Sequence, residues 1–332
     1  MLKAKKMFLV MFVFYMILFS FSSFTMLYEF VIPHGGFYVE DPTTTSTTTT
    51  TTPISQTTSG SGTLTDTITT ITSTTTTTST IVYPDQLPTV LSNGTILGTY
   101  ENDEALITIY QIRASNSDVF VADVVVKDAH TILSGLAYNT FGGTNIVQTV
   151  STMATEHDAI FAVNADYASH YDSGYVIRNG MILRNSTSYR NAIALYENGT
   201  VSSFAESSVS INDVLNDGAW QLWSFGPVII KDGVSVASVN DGLDRDAVNN
   251  PRTAFGYVSA NHFMFVCVDG RTTQSHGVDI EELSGIMMSL NCVQAYNFDG
   301  GGSSTMYFNG EIINHPSEGS ERSVSDCVYI RR

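Results

Sequence analysis

The sequence predicts an α+β domain, a mixed and mainly antiparallel sheet with several hairpins and a few packed helices. Three observations predict it. Short β-branched and apolar runs recur from residue 106 to the C-terminus, the mark of many short strands. Arg178-Asn179-Gly180, Glu197-Asn198-Gly199 and Lys231-Asp232-Gly233 carry the Asn-Gly and Asp-Gly pairs that tight hairpin turns require. After Asp279, apolar residues fall at helical spacing.

The N-terminal part is non-globular by composition. Lys3, Lys5 and Lys6 precede an apolar run from Met7 to about Leu27. Roughly twenty such residues span a bilayer core, and positive charge at the start holds that end in the cytoplasm. Residues 1–32 are therefore expected to form a cytoplasmic stub and an uncleaved signal anchor. A cleaved signal peptide competes, but no clear A-x-A site follows the run. Residues 33–92 read as a Thr/Ser-rich disordered stalk. Such composition cannot bury enough apolar surface to offset ordering entropy, and it suits an O-glycosylated spacer. The expectation is a single-pass protein of the cell membrane, bound through its N-terminal helix, with residues 93–332 as one extracellular catalytic domain. Sequons at Asn93, Asn185 and Asn198 carry weight only in a host that N-glycosylates.

Within the domain, Leu106–Ile112 and Asp118–Val126 read as strands, Asn145 to about His157 as a helix, and Ala159–Val163 as a short buried strand. Ser210 to about Asn216 reads as a short helix, and Thr253–Val258 and His262–Val268 as strands. Asp279 and Glu282 have the spacing of a capping box, with Ile280, Leu283, Ile286, Met287 and Leu290 on one helix face. Val293–Phe298 and Val324–Ile330 close the list of strands. No internal repeat is evident.

The net charge of −17 argues against nucleic acid, whose backbone attracts Lys and Arg. Cys267, Cys292 and Cys327 form no CxxC pair, which disfavours a cysteine zinc site. Cys267 and Cys292 sit in apolar runs and read as small core residues.

The chemistry concentrates near the end, in Asp299-Gly300-Gly301-Gly302-Ser303-Ser304-Thr305. Glycines admit positive φ and close approach of a ligand. Successive N–H groups and hydroxyls are suited to cradling an anion. No GK[ST] follows, which excludes a P-loop. Polar residues also recur where other apolar strands end: Asn164 and Asp166, Arg252, Asp269 and Arg271, Asn297 and Asp299, Glu321 and Arg322. Strand ends are natural places for a site, and arginine forks match phosphate geometry. Each has a bland reading. Asp269-Gly270 suits a plain turn, Arg252 a surface ion pair, and Glu282 a helix cap. The acidic loop Asp241–Asp246 lacks EF-hand spacing and reads as solvated. His276 and His315 are lone histidines. Nothing requires a cofactor and no metal ligand is assigned; a divalent cation, Ca²⁺ or Mg²⁺, stays open.

In their order, Asn250-Pro251-Arg252-Thr253-Ala254, Val268-Asp269-Gly270-Arg271, Glu281-Glu282-Leu283 and Asn297 through Met306 resemble the phosphodiester glycosidase family. So do Asn164-Ala165-Asp166-Tyr167, Val176-Ile177-Arg178-Asn179-Gly180, Phe225-Gly226-Pro227, Asn309-Gly310, Pro316-Ser317 and Glu321-Arg322. Ala165 departs from the glycine that relatives often carry there. The resemblance runs from about Leu106 to the C-terminus, and it implies hydrolysis of a sugar-1-phosphodiester, with N-acetylglucosamine the first choice, to free sugar and a phosphate monoester. That leaving group needs less general-acid help than an alcohol. The larger demand is stabilising charge on the departing phosphate. On this reading the N–H groups of Gly300, Gly301 and Gly302, with Ser303, Ser304, Arg252 and Arg271, meet the charge of the departing phosphate, and Thr305 and Arg322 join them as substrate-binding residues. Asp269 and Asp299 are the first-choice catalytic carboxylates, with Asp166 and Glu282 behind them. Asn164 and Asn297 bind sugar hydroxyls or orient water. With an outside-facing domain, the expected substrate is an envelope glycan or exopolysaccharide. The rival is a non-catalytic surface module that binds phosphorylated glycans; carboxylates beside a phosphate disfavour it, because they repel the ligand.

Overall fold

A computed structural model describes residues 24–25, 33–42, 87–239 and 247–332. The expected anchor, most of the Thr/Ser segment and the acidic loop Asp241–Asp246 lie outside the described residues. Among the described residues, no helix is long and apolar enough to cross a membrane.

The domain is sheet-rich rather than a balanced α+β fold. An eight-stranded sheet runs in the order Val234–Ser235, Val228–Lys231, Gln294–Asn297, Arg252–Ser259, His262–Val268, Ser117–Val126, Ala105–Ala114 and Thr95–Glu101. A five-stranded sheet packs against it, in the order Glu311–Ile312, Met306–Phe308, Ala159–Asn164, Asp326–Arg331 and Leu133–Leu136. A second five-stranded sheet is built from Val201–Ala205, Asn191–Tyr196, Ala219–Trp223, Val176–Arg178 and Met181–Arg184. Neighbouring strands pair antiparallel throughout these sheets. All three Asn-Gly and Asp-Gly turns join paired strands, as their residue types predict.

The strands read as continuous apolar runs because both faces are covered. In His262–Val268, Phe263, Phe265 and Cys267 face the interior between the sheets with Phe120, Phe161, Phe255 and Phe298. Met264, Val266 and Val268 alternate to the other face. There the helix Ile280–Ser289 buries Ile280, Leu283, Ile286 and Met287, and Leu290 just beyond its end is buried with them. Both halves of the capping box are formed at its start. The helix expected from Asn145 begins only at Val150 and ends at Glu156. Asn145 has a φ of +57°, and Gln148 spends its backbone groups on Val324. Those residues are therefore used in a bridge, and Thr149 caps the helix instead. Cys267, Cys292 and Cys327 are free and buried.

Two departures concern the domain's edge. The short helix Thr89–Ser92 buries Leu91 in the face shared with Ile112 and Val119. Residues 33–42, which composition places in the stalk, lie against the domain: Phe37–Tyr38 pairs with Thr140–Phe141, and Val39 is buried. Val39 supplies the buried apolar side chain that the Thr-rich tract lacks, while Phe37 and Tyr38 stay largely exposed.

The two large sheets are clasped by Asn164, at the end of its strand and fully buried. Its Oδ1 accepts from Thr253 Oγ1 at 2.9 Å and from Thr305 N at 3.1 Å. Its Nδ2 donates to the Asp299 carbonyl at 2.7 Å. Asn164→Ala removes all three bonds and leaves buried partners unsatisfied, so a loss of about 3 kcal/mol is expected. Denaturant unfolding of the variant beside the wild type measures it.

Candidate functional site

The glycine loop is the passage from one large sheet to the other. It leaves Gln294–Asn297 and arrives at Met306–Phe308. Phe298 N donates to Thr253 O at 2.8 Å, Asp299 N to Ala165 O at 3.0 Å and Gly301 N to Pro251 O at 2.8 Å. The loop is therefore pinned to both sheets within a few residues. Gly301 has a φ of +65° and sits against the Arg271 guanidinium, so a side chain there would be strained and crowded. Gly226 opposes the loop's start, and a Cβ on it would collide with the Asn297 carbonyl.

Beside the loop lies a cavity of about 530 Å³, whose walls include Tyr167, Phe225, Asn250, Arg252, Arg271, Asn297, Asp299, Gly300, Gly301 and Arg322. Seven of the residues singled out from sequence thus meet in one place: Arg252, Arg271, Arg322, Asn297, Asp299, Gly300 and Gly301. Arg252 is buried and braced by the Val278 and Val248 carbonyls, which accept from its Nε at 3.0 Å and its Nη2 at 3.1 Å. Arg271 donates to Asn250 Oδ1 through Nε and Nη2. Arg322 pairs with Glu318. Asn297 Oδ1 is buried and accepts no hydrogen bond, a cost the fold bears beside the cavity.

Asp299 is the one carboxylate among the described residues of the cavity wall. Burial pushes its carboxyl above the ordinary range; hydrogen bonds from Ser303 and Gly300 and the charge of Arg322 oppose that rise. It is thus tuned upward while still facing a cation.

The other candidates sit elsewhere. Asp166 is fully buried and accepts from Arg178 Nη2 at 2.6 Å and Ser224 N at 3.0 Å. The same Nη2 donates to Asp326 at 3.0 Å. Two carboxylates on one buried guanidinium make Asp166 a structural acid. Asp269 is buried behind the loop, accepting from His315 N at 3.0 Å and contacting His315 Nδ1 at 2.8 Å and Asn314 Nδ2 at 3.3 Å. Asn314 in turn holds Ser304 O and Met306 N. Asp269 therefore reaches the loop through its exit. Glu282 closes the capping box by accepting from Asp279 N at 3.2 Å. Asn164 is the clasp described above. None of these four lines the cavity.

The anion cradle expected from the loop is also corrected. Gly300 N donates to Asp299 Oδ1, Gly301 N to Pro251 O, Ser303 N to Gly300 O, Ser304 N to Gly301 O and Thr305 N to Asn164 Oδ1. Those donors are spent within the loop or on its neighbours Pro251 and Asn164. The Ser304 and Thr305 hydroxyls are buried without partners, Ser303 is buried beneath Asp299, and Gly302 packs on Arg322 and Glu318. Positive charge at the cavity thus comes from the three arginines. Among the described residues, no group of three or more His, Cys, Asp or Glu is placed to hold a metal ion.

Sequence reasoning missed the cavity's Tyr167 and Phe225 walls, the Asn250 brace on Arg271, and the Asn314–His315 link. The first three belong to motifs that were visible, Asn164 through Tyr167, Phe225 through Pro227 and Asn250 through Ala254. The last is a contact distant in sequence and has no local signal.

Burial, opposed by Arg178 and aided by Asp326, lifts Asp166 from 3.8 to about 6. The folded chain thus holds this proton more tightly than the unfolded chain. The stability it confers is present below pH 3.8 and is lost as pH rises through about 6. Asp166→Asn is expected to flatten that decline, read as unfolding free energy against pH in urea titrations.

A model of the phosphodiester glycosidase family matches residues 157–331, more than half of the chain. An uncharacterized protein derived from the SPbeta prophage of Bacillus subtilis is 30% identical over 197 residues, 57% of this chain and 30% of that protein. The N-acetylglucosamine-1-phosphodiester alpha-N-acetylglucosaminidase of Mus musculus is 25% identical over 167 residues, 46% of this chain and 32% of the enzyme. The chain thus spans about a third of the length of these relatives. The zebrafish enzyme's catalytic domain, solved in a form auto-inhibited by its pro-peptide, superposes with a TM-score of 0.54 at 21% identity, covering 74% of this chain and 87% of that one. At that identity the likeness speaks for the fold alone.

Proposed function

The chain belongs to the phosphodiester glycosidase family, and on that premise we propose that it hydrolyses a sugar-1-phosphodiester at the anomeric carbon. The observation that carries the reading is the cavity that gathers Arg252, Arg271 and Arg322 around Asp299. Cleavage breaks the bond between the anomeric carbon and the phosphate oxygen. The phosphate monoester leaves with the electron pair, and water supplies the oxygen of the free sugar. Negative charge grows on phosphate, where fixed cations stabilise it. Positive charge grows on the sugar carbon, where ionised Asp299 stabilises it and can receive the proton of the attacking water. Asn297 and Asn250 line the same wall, where their amides are placed to meet sugar hydroxyls or an acetamido group. N-acetylglucosamine as the sugar is supported by the names of the mammalian relatives. An extracytoplasmic setting and an envelope glycan are supported by the apolar run after Lys3, Lys5 and Lys6.

A carboxylate among arginines weakens a phosphate-binding module and strengthens a hydrolase, so the catalytic reading is preferred. Incubation with an alkyl-phospho-N-acetylglucosamine, with products identified by NMR, tests it. Free sugar plus alkyl phosphate supports the proposal, and sugar-1-phosphate plus alcohol overturns it. Asp299→Asn should lower kcat by about a hundred- to ten-thousand-fold with an unchanged melting transition.

The active form needs Asp299 ionised, so kcat/KM should rise with pH through a value above the ordinary aspartate range. Arg322 holds that value down. Arg322→Ala should therefore move the acidic limb to higher pH, and a limb that stays in place assigns the titration to another group.

A further inference from the structure

The segment from residue 33 to residue 42 is joined to the domain at every level of contact. His34 and Thr144 exchange backbone hydrogen bonds at 2.9 and 2.6 Å. Phe37 meets the edge of the Phe141 ring with centroids 5.6 Å apart, and Val39 N donates to Asn139 O at 2.6 Å. The Val39 side chain is buried with Leu136, Phe141, Ala168, Val176 and Phe225. Asp41 closes the segment. Its carboxylate accepts from Arg331 Nη2 at 2.6 Å and Tyr329 Oη at 2.9 Å, and it contacts His157 Nδ1 at 3.0 Å. Arg331 Nη1 also donates to the Pro42 carbonyl at 2.8 Å. Burial and the charge of Asp41 push the Tyr329 phenol upward, so it remains a donor to that carboxylate.

Two of these contacts bear on the site. Phe225 lines the cavity on one side and touches Val39's cluster on the other. Tyr167, also in the cavity wall, packs against the same cluster and has a φ of +51°. A non-glycine residue in that region is strained and persists where its surroundings hold it. None of residues 33–42 lines the cavity itself.

We propose that residues 33–42 are an intramolecular strap, latched by Asp41 onto His157, Tyr329 and Arg331, that braces the Tyr167–Phe225 wall of the cavity from behind. The strap is a positioning element and leaves the cavity open. The bracing of a substrate cavity rests on the function proposed above; the docking of the strap does not. Pro42 at the end of the strap and Leu91 in the short helix Thr89–Ser92 each rest on the domain.

The test uses the full chain, purified in mild detergent, with a specific protease sequence inserted between Gly60 and Ser61. After cutting, the N-terminal piece should co-elute with the domain in gel filtration. In the double variant Val39→Asp, Asp41→Ala it should elute apart. Separation of the wild-type piece overturns the strap. Hydrogen exchange reads the brace: amides of residues 167–171 and 224–226 should exchange at least tenfold faster in the double variant, and unchanged rates there overturn the bracing role. Turnover of the alkyl-phospho-sugar should fall when the strap is released, and a rise would show a plug instead of a brace. Absence of turnover in every form would count against the proposed hydrolysis, while co-elution and exchange still decide the strap.

Discussion

One buried amide holds the architecture and the cavity in the same register. Asn164 takes a hydroxyl from the long sheet, an N–H from the exit of the glycine loop and gives a proton to the carbonyl of Asp299. An aspartate could not donate that last bond and a leucine could make none of them. Burial raises the worth of each bond, because no water stands ready to replace it. Everything that faces the cavity from the loop is placed relative to this clasp. The Asp299 carboxyl is one residue's geometry away from it, and the chain reaches Asp299 already tied at Phe298 to Thr253.

The glycines acquire their meaning from that crowding. Gly300 lies over the Pro251 carbonyl, Gly301 under Arg271, Gly302 against Arg322 and Glu318, and Gly226 against Asn297. Their common role is to let four stretches of chain meet closely enough for three arginines to share a cavity with one carboxylate. The N–H groups of Gly300, Gly301, Ser303, Ser304 and Thr305 are spent within the loop or on its neighbours Pro251 and Asn164, and charge at the site is carried by side chains whose own positions are braced by carbonyls and by Asn250.

Local physics made much of this legible in the amino-acid order. Asp279 and Glu282 announce a helix start through three-residue spacing, and the structure has both bonds. The Asn-Gly and Asp-Gly pairs announce hairpins because few other residues take their backbone angles. Arg252, Arg271, Asn297, Asp299 and Arg322 were found because strand ends and motif order are visible in one dimension. What stayed hidden is sidedness. Asp166, Asp269 and Asp299 all follow apolar strands, yet one is locked to Arg178, one to His315, and only the last faces the cavity. Choosing among them requires knowing which way each strand end turns and what lies across from it. Residues 33–42 were hidden for a related reason: a few apolar residues beside a long Thr-rich tract are swamped by its composition, and their partners lie more than a hundred residues away.

The three thiols also shape where the domain can work. Cys267, Cys292 and Cys327 are unpaired and sealed in the core, and burial is the leading cause that pushes each toward its protonated form. A protonated, inaccessible sulfur is a poor nucleophile and a poor target for oxidants. The fold therefore draws no stability from an oxidising exterior and risks little by facing one. Its integrity is indifferent to redox poise on either side of a membrane, for as long as the sheets stay packed.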